Sequence, residues 1–345
     1  MQRTSRQRSM PQAHLQLKRR CRAAMRRALA LALCAAAPIA AASGDYPKQN
    51  ISLIVPFAAG GPTDALSRLI AQSMSKTLGK QIIVENVPGA GGIIGRAKVA
   101  RAEPDGYTLM FAGSGTATSA TLYRKLSYDP VNAFDTIAMI AETPMVLVAR
   151  KDLPVRDIAE LIRYIKANGD KITYANGGLG SGSHLCGLLL MQALQTKMTT
   201  VQYRGSGPAM LDVMAGRIDL LCDQTTTALA PLHDGSIKGY AVTRRAGVPS
   251  LPNLPTLHDA GLKEFDLSNW SGLMAPQGTP GPILERLAAA VHAAVNDPDI
   301  VKRMEEFGAL PVGDDRSTPD GFRKFFLADV AKWGAIIKAE GTYAD

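Results

Sequence analysis

Short apolar strands alternate with helical patterns along most of the chain, and this alternation constrains the fold more than any other feature. Near-continuous apolar runs such as Ile51–Phe57 and Ile237–Thr243 are typical of strands buried on both faces of a sheet. Between the runs, residues such as Ile158, Leu161 and Ile165 recur at helical spacing. The pattern predicts an α/β fold with mainly parallel sheets. The other predicted strands are Gln81–Glu85, Tyr107–Ala112, Met145–Ala149, Lys171–Ala175 and Ile218–Cys222.

The first 42 residues carry the whole excess of positive charge. The chain has 39 Lys and Arg against 30 Asp and Glu, and nine of these bases, but none of the acids, lie in residues 1–42. The remainder is neutral, so its charge gives no reason to expect a nucleic-acid partner. A basic stretch followed by the apolar run Ala28–Ala42 predicts a secretory signal peptide, cleaved after Ala42. Met25 is an alternative start of the chain, and an uncleaved anchor is the alternative interpretation of the run.

The exported part is long enough for more than one hydrophobic core. At about 300 residues it exceeds the size at which a single core keeps growing, so we expect two domains. It keeps two cysteines, Cys186 and Cys222. An even pair in an oxidising compartment favours a disulfide, which would contribute about 4 kcal/mol in the chain-entropy model. Two buried free thiols are the alternative.

Two stretches share one plan, in which a strand leads through a loop of small residues into an apolar helix. They are residues 52–74 and residues 171–194. Ligands of parallel sheets bind beyond the carboxyl ends of strands, so two such loops, one from each domain, would line one cleft. Loops with small side chains let backbone N–H groups approach a ligand, and each helix start favours an anion by roughly 0.3–1 kcal/mol. These loops predict a carboxylate site formed by backbone amides.

Patterns that would indicate catalysis or a cofactor are missing from the sequence. The glycine clusters match neither a phosphate-binding P-loop nor the dinucleotide fingerprint, and no Gly-x-Ser-x-Gly elbow or metal-binding His or Cys spacing occurs. We therefore expect no cofactor, no metal site and no catalytic residue. The alternatives are an exported hydrolase or lyase that uses His184 or Asp223 as a base, and an exported adhesive domain. An adhesive domain leaves the two glycine-rich helix starts unexplained.

Each candidate ligand-binding residue also has an ordinary structural role. Phe57 could be a core residue, Asp64 a helix-capping residue and His184 a packing residue. Ser181 and Ser183 are natural helix N-caps. An arginine such as Arg204 is more often solvated than paired with a carboxylate, although its fork geometry suits one.

Nine motifs occur in a fixed order over most of the chain: SLIVPFAAGGPTD, VENVPGAGGIIG, PDGYTLM, LYRKLSYDP, YANGGLGSGSHLCG, VQYRGSGPAM, GRIDLLCDQTT, LPNLPTLHDAG and WSGLMAPQGTP. With these motifs, the stretch from Tyr46 to about Gly341 resembles the extracytoplasmic solute receptors of the Bug type, the substrate-binding family of tripartite tricarboxylate transporters. Two positions depart from the family pattern. Val87 stands where arginine is common, and Ser119-Ala120 stand where many relatives have Asn-Pro; both bear on the distal end of the ligand.

The resemblance implies a type II periplasmic-binding-protein fold, with two α/β lobes joined by two crossovers around a ligand cleft. One lobe would combine residues 43–143 with 270–345, and the other would be residues 144–269, with hinges near Pro144 and Trp270. Such a protein is a periplasmic monomer without enzymatic activity. It would capture a small organic acid and deliver it to an inner-membrane tripartite permease or a sensor.

The resemblance also implies the ligand-contacting residues, which are carried over by position in the motifs. Most belong to the two loops of small residues, and the rest follow other predicted strands. The predicted set is Phe57, Ala58, Gly60, Gly61, Ser114, Thr116, Asn176, Ser181, Ser183, His184, Tyr203, Arg204 and Asp223.

Overall fold

The computed structural model of the chain describes residues 46–263, 265–306, 308–341 and 343–344. The predicted leader, residues 1–42, lies outside these residues. Within the described ranges no helix has the length and apolar character needed to cross a membrane. Residues 47–345 form one unit, which contains all the strands and helices below.

Strands and helices alternate along this unit, as the sequence pattern predicts. The strands are β1 (Ile51–Val55), β2 (Ile82–Asn86), β3 (Thr108–Gly113), β4 (Phe134–Arg150), β5 (Thr173–Asn176), β6 (Thr199–Gln202), β7 (Leu220–Gln224), β8 (Ile237–Val242), β9 (Ser268–Pro276) and β10 (Leu310–Pro311). The α-helices are α1 (Pro62–Leu78), α2 (Ile93–Ala100), α3 (Ser114–Leu122), α4 (Ile158–Asn168), α5 (Gly182–Leu194), α6 (Ser206–Met214), α7 (Thr225–His233), α8 (Gly281–Val295), α9 (Pro298–Glu306) and α10 (Pro319–Glu340).

The 17-residue strand β4 links two groups of strands. From Phe134 to Pro144 it pairs with β9, and from Met145 onward it pairs with β7 and β8. The first group has the order β2-β1-β3-β9-β4, and the second continues as β4-β7-β5-β6. The change of partner at residues 144–145 therefore marks the border between the two groups.

The sheet is mixed, whereas the sequence pattern predicts mainly parallel sheets. Strand β1 pairs in parallel with β2 and β3, and β5 pairs in parallel with β6 and β7. Strands β4 and β9 pair antiparallel with their neighbours. The reason is topological, because β4 takes the chain from the first group of strands to the second and β9 returns it in the opposite direction.

The apolar runs of the sequence are buried on both faces of the sheet. Along β4, Leu147 and Ala149 pack in one core cluster, while Val146 and Val148 pack in another. This alternation follows from the two-residue period of a strand. In the first group of strands, Trp270 is the centre of an aromatic cluster with three phenylalanines of α10, Phe322, Phe325 and Phe326. The aromatic cluster thus belongs to a core of the first group, whereas one core of the second group also includes Leu122 of α3 and Trp333 of α10.

Cys186 of α5 and Cys222 of β7 form a disulfide, with Cα atoms 6.1 Å apart and a sequence separation of 36. Both residues are fully buried. The bond fastens α5 to the centre of the second group of strands.

Candidate functional site

The loop between β1 and α1 leaves the start of the helix without a side-chain cap. Gly61 is the N-cap residue, in an extended conformation, and it makes no side-chain cap hydrogen bond. Gly60 before it has a left-handed φ of +83°, which suits glycine. Phe57 and Ala58 are exposed. This loop therefore presents backbone donors to solvent, as its sequence predicts.

Asp64, in the first turn of α1, holds this loop in place. Its Oδ2 atom accepts hydrogen bonds from the Gly60 amide at 2.9 Å and from Arg68 Nε at 3.0 Å, and its Oδ1 atom accepts one from Asn86 Nδ2 at 2.9 Å. Burial tends to raise the pKa of Asp64, but the hydrogen bonds from Arg68, Gly60 and Asn86 outweigh burial and lower it. The Gly60 amide is thus occupied within the loop, and Asp64 shapes the loop.

Helix α3 begins directly where β3 ends, and it also lacks a side-chain cap. Its first residue, Ser114, donates a hydrogen bond through Oγ to Asn269 Oδ1 on β9, at 2.7 Å. Thr116 is fully buried, and its Oγ1 atom has no hydrogen-bond partner in the described chain. Ser114 and Thr116 therefore lie at a second uncapped helix start, where the sequence places them.

The loop before α5 differs because its own side chains satisfy most of its amides. Ser183 Oγ accepts from the Gly177 amide at 2.8 Å, and Asn176 Oδ1 accepts from the Gly178 amide at 2.9 Å. Ser181 is the N-cap of α5 and accepts from the His184 amide at 3.2 Å. The serines and Asn176 thus support this loop, while Asn176 Nδ2 remains buried and without a partner in the described chain.

His184 also accepts a hydrogen bond inside this loop. The Gly180 amide donates to His184 Nδ1 at 3.2 Å. Burial lowers the pKa of His184 to about 4, so the ring is neutral at physiological pH. A general base must accept a proton on its unprotonated ring nitrogen. In His184 that nitrogen is Nδ1, which already accepts from the Gly180 amide.

Asp223, at the end of β7, connects two helix starts. It is 1% exposed, and its two oxygens accept hydrogen bonds from Ser206 Oγ of α6 at 2.7 Å and from Thr227 Oγ1 of α7 at 2.6 Å. Burial raises the pKa of Asp223 above its usual range, although these two bonds lower it. Helix α6 itself has Gly205 as its N-cap and no side-chain cap. Asp223 therefore positions the uncapped start of α6.

Tyr203 and Arg204 directly precede Gly205, the N-cap of α6. The Tyr203 hydroxyl donates to Asp212 Oδ2 at 2.7 Å. Burial, together with that bond, raises the pKa of Tyr203 to about 12. Arg204 is exposed. The Tyr203 phenol is thus hydrogen-bonded to α6 and not to the loop amides.

Close approaches bring the loops into one region. A Cβ atom placed on Gly115 of α3 would lie 3.8 Å from Gly180 O, and one placed on Gly180 would lie 3.1 Å from Thr118 Oγ1. The short turn Ala90–Gly92 borders both loops, because a Cβ on Gly91 would lie 3.9 Å from Leu179 O and one on Gly92 would lie 3.2 Å from Pro56 O. The β1–α1 loop, the start of α3 and the β5–α5 loop therefore face a common junction, which we call the loop junction.

Sequence analysis missed three residues of the loop junction. Ser206 and Asn269 hold the helix starts as described; Ser206 lies in the motif VQYRGSGPAM, and Asn269 directly precedes WSGLMAPQGTP. The third is Arg96 of α2, which is 2% exposed. A signal for Arg96 is present in the sequence, because Gly92, Arg96 and Val99 are spaced to share one face of the helix and all three are buried.

Two grooves lie beside or beyond the loop junction, and the first shares Asn176, Leu179 and His184 with the β5–α5 loop. One, of about 660 Å³, is lined along α5 and β6 by residues that include Asn176, His184, Met191 and Gln202. The other, of about 620 Å³, is lined by charged residues such as Glu142 and Arg316. Neither includes residues of the β1–α1 loop or of α3, so we take the loop junction as the candidate site.

Comparison with known proteins agrees with this fold. The family model described as the tripartite tricarboxylate transporter family receptor matches residues 66–342. The solved structure of the periplasmic binding protein BugD is 41% identical, with a TM-score of 0.79, and the match covers 86% of this chain and 99% of that one.

Two similar structures contain bound ligands. MatC from Rhodopseudomonas palustris with bound malate is 37% identical, with a TM-score of 0.78, and covers 85% of this chain and 100% of its own. Rpa4515 from R. palustris with adipate is 33% identical, with a TM-score of 0.80, and covers 86% of this chain and 99% of its own. The chain thus has the fold of the periplasmic binding proteins, and it belongs to the tripartite tricarboxylate transporter receptor family, whose members are periplasmic solute-binding receptors.

Proposed function

We propose that this receptor captures a small carboxylate at the loop junction and delivers it to a membrane permease or a sensor. The observation that carries the proposal is the convergence of uncapped helix starts. Helices α1, α3 and α6 each follow a glycine N-cap and lack a side-chain cap. Such starts combine unsatisfied N–H groups with the positive end of the helix dipole, and both favour an anion.

Contacts between helix α6 and the junction support this assignment. A Cβ atom on Gly177 would lie 3.1 Å from the Ser206 amide nitrogen, so the first turn of α6 adjoins the β5–α5 loop. The unpartnered Asn176 Nδ2 and Thr116 Oγ1 atoms add two side-chain donors. We expect these two side chains, with the amides of Gly61 and Ser114, to contact the ligand directly, while Asp223 acts by positioning α6.

The ligands of similar proteins suit this chemistry. Malate and adipate, bound in the two R. palustris structures, are dicarboxylates. Backbone amides recognise a carboxylate group without fixing the rest of the molecule, so one arrangement of loops can serve acids of different length. Small organic acids are therefore the first compounds to test against this chain.

We further propose that the protein closes on its ligand as two lobes, residues 43–143 with 270–345 and residues 144–269. The change of strand partners in β4 between Pro144 and Met145 supports a boundary at this point. Closure would follow from the ligand's greater affinity for the closed state, as in other hinge-bending receptors. Cleavage of the predicted leader after Ala42 would release the receptor into the periplasm.

Substituting Gly61 tests the role of the backbone amides. Gly61 has φ −84°, which proline can adopt, and a Cβ here would meet only Ala58 O, at 3.9 Å. Gly61→Pro removes one amide donor, while Gly61→Ala adds a carbon and keeps the donor. By isothermal titration against malate and adipate, we expect Gly61→Pro to lose affinity by about 10- to 100-fold, the effect of one hydrogen bond to a charged group. Gly61→Ala should bind like the wild type, and an equal loss in both variants would count against the amide.

A transport assay tests the delivery step. Cells that lack this receptor should fail to take up, or to respond to, the carboxylate that binds best in titration. The wild-type gene should restore the response, and Gly61→Pro should restore it only at higher ligand concentration. Uptake unchanged by loss of the receptor would contradict delivery while leaving ligand capture intact.

A further inference from the structure

Arg96 is a buried cation without a carboxylate partner. The side chain is 2% exposed, and no ion pair joins it to another residue in the part of the chain that the structure describes. Lys98, two residues further along α2, does pair with an acid, Glu85, at the surface. Buried charges in proteins are ordinarily paired, because a buried unpaired charge is strongly unfavourable. Arg96 therefore lacks the partner that its burial requires.

The guanidinium lies at the loop junction. A Cβ atom placed on Gly115, in the first turn of α3, would lie 2.6 Å from Arg96 Nη2, and one on Gly92 would lie 3.0 Å from the same atom. The Gly115 position is also 3.8 Å from Gly180 O of the β5–α5 loop. A side chain at position 92 or 115 would require the guanidinium to shift from its observed place. Arg96 thus reaches the α3 start, where a bound anion would also lie.

Hydrogen bonding to the protein uses only part of the guanidinium. Nη1 donates to Gly91 O at 3.0 Å, while Nε is buried without a partner. Burial lowers the pKa of Arg96. Burial raises the pKa values of the nearby phenols of Tyr128 and Tyr123, so they stay neutral and supply no counter-charge.

Other unpartnered polar atoms surround the same point. Seven buried side-chain nitrogen or oxygen atoms of the described residues have no hydrogen-bond partner, and five of them belong to residues at or beside the loop junction. This concentration indicates that a polar group from outside the chain completes the junction. The five atoms are Arg96 Nε, Thr116 Oγ1, Thr118 Oγ1, Tyr128 Oη and Asn176 Nδ2.

We propose that Arg96 determines ligand specificity, as the counter-charge for the second carboxylate of a dianionic ligand. The inference rests on the proposed function, in which the amides of the helix starts hold the first carboxylate. Amides contribute partial charges that suffice for one carboxylate, whereas a second full negative charge in a buried site requires a full positive one. Arg96 therefore makes the receptor select a dianion over a monoanion of the same length.

Matched ligands and matched variants test this proposal. Adipate and its monomethyl ester have the same chain and differ by one charge. We expect the wild type to bind adipate at least about tenfold more tightly than the ester, and Arg96→Gln to lose about 10- to 100-fold for adipate with little change for the ester. Arg96→Lys, which keeps the charge, should retain most of the preference. Arg101→Gln, an equal charge change at an exposed residue that follows α2, is the control and should match the wild type.

The outcomes separate this proposal from the proposed function. An Arg96→Gln protein that loses affinity equally for both ligands, or keeps the wild-type preference, would overturn the role of Arg96 and leave carboxylate capture intact. If Arg96→Gln does not fold, the wild type decides, because equal affinity for adipate and its ester would overturn the proposal. A wild type that binds no carboxylate, including malate, would overturn both proposals.

Discussion

The β1–α1 and β5–α5 loops follow the same sequence plan but satisfy their backbones in different ways. In the β1–α1 loop a carboxylate, Asp64, takes up the Gly60 amide from one turn inside the helix, and the N-cap is a bare glycine. In the β5–α5 loop, Ser181, Ser183 and His184 accept from the loop's own amides. The comparison teaches that a glycine-rich helix start is free to donate to a ligand only where no neighbouring side chain accepts from it.

The largest expected difference between the two regions comes from the disulfide, which fastens only the β5–α5 side. The double variant Cys186→Ala with Cys222→Ala should lower the free energy of unfolding by about 4 kcal/mol, because the unfolded chain is no longer cross-linked. Chemical denaturation measures the loss. The rate of amide hydrogen exchange should rise in α5 and stay unchanged in α1. Two free thiols in denatured, unreduced protein would contradict the bond itself.

Acid should loosen the β5–α5 loop before the β1–α1 loop. Because burial lowers the pKa of His184 from 6.5 to about 4, the neutral ring favours folding above pH 6.5. That contribution is lost as the pH falls from 6.5 through 4, in total about 3 kcal/mol. Hydrogen bonds from Arg68, Gly60 and Asn86 lower the pKa of Asp64, so its carboxylate keeps these bonds at pH 5. Between pH 7 and pH 5, protection from hydrogen exchange should therefore fall in residues 177–184 and stay unchanged in residues 57–61.

The variant His184→Gln provides the control for this pH dependence. Glutamine offers an acceptor for the Gly180 amide but does not titrate, so stability should become less sensitive to pH between 6.5 and 4. An unchanged pH profile in this variant would show that another group loosens the loop.

The smallest expected effect comes from giving α1 the kind of cap that α5 has. Gly61→Ser places a hydroxyl at an N-cap that is open enough for a side chain. It should stabilise the protein by a few tenths of a kcal/mol while weakening carboxylate binding, because the hydroxyl competes for the same amides. Thermal unfolding and titration on one preparation measure both changes. Stronger binding together with higher stability would show that α1 does not supply the ligand's donors.

Much of the fold follows from local patterns in the sequence. Six of the predicted strands match the observed ones to within two residues at each end. The first half of β4 was missed, because Glu142, Thr143 and Pro144 interrupt its apolar run and proline is unusual inside a sheet. In the structure Pro144 is where β4 changes partners, opposite Ser268 of β9. Strand β9 was missed for a related reason, since Gly272 lowers its strand propensity but leaves room for the Phe322 ring.

The position of the candidate site follows from the sequence only in part. Strand ends and glycine loops indicate where helix starts lie, and the structure brings the start of α3 beside the β5–α5 loop. The contribution of Gly60 and Gly61 to ligand binding stays a prediction. Which amides remain open depends on acceptors such as Asp64 and Ser183, whose choice of partner is decided by tertiary geometry. Arg96 was missed because its burial depends partly on Gly115, which is distant from it in sequence and is brought beside it by the fold.

The long strand β4 has a consequence for the order in which the protein folds. Strands β4 to β8 come from one uninterrupted stretch of chain, residues 134–242, so the second group of strands pairs through contacts of modest sequence separation. The first group is completed only when β9, residues 268–276, inserts between β3 and β4. Contacts between distant parts of a chain form more slowly, because a longer loop must close. As the polypeptide is synthesised, the middle of the chain can therefore form a core first. The edge of β4 is then available for pairing with β9, which completes the first group of strands.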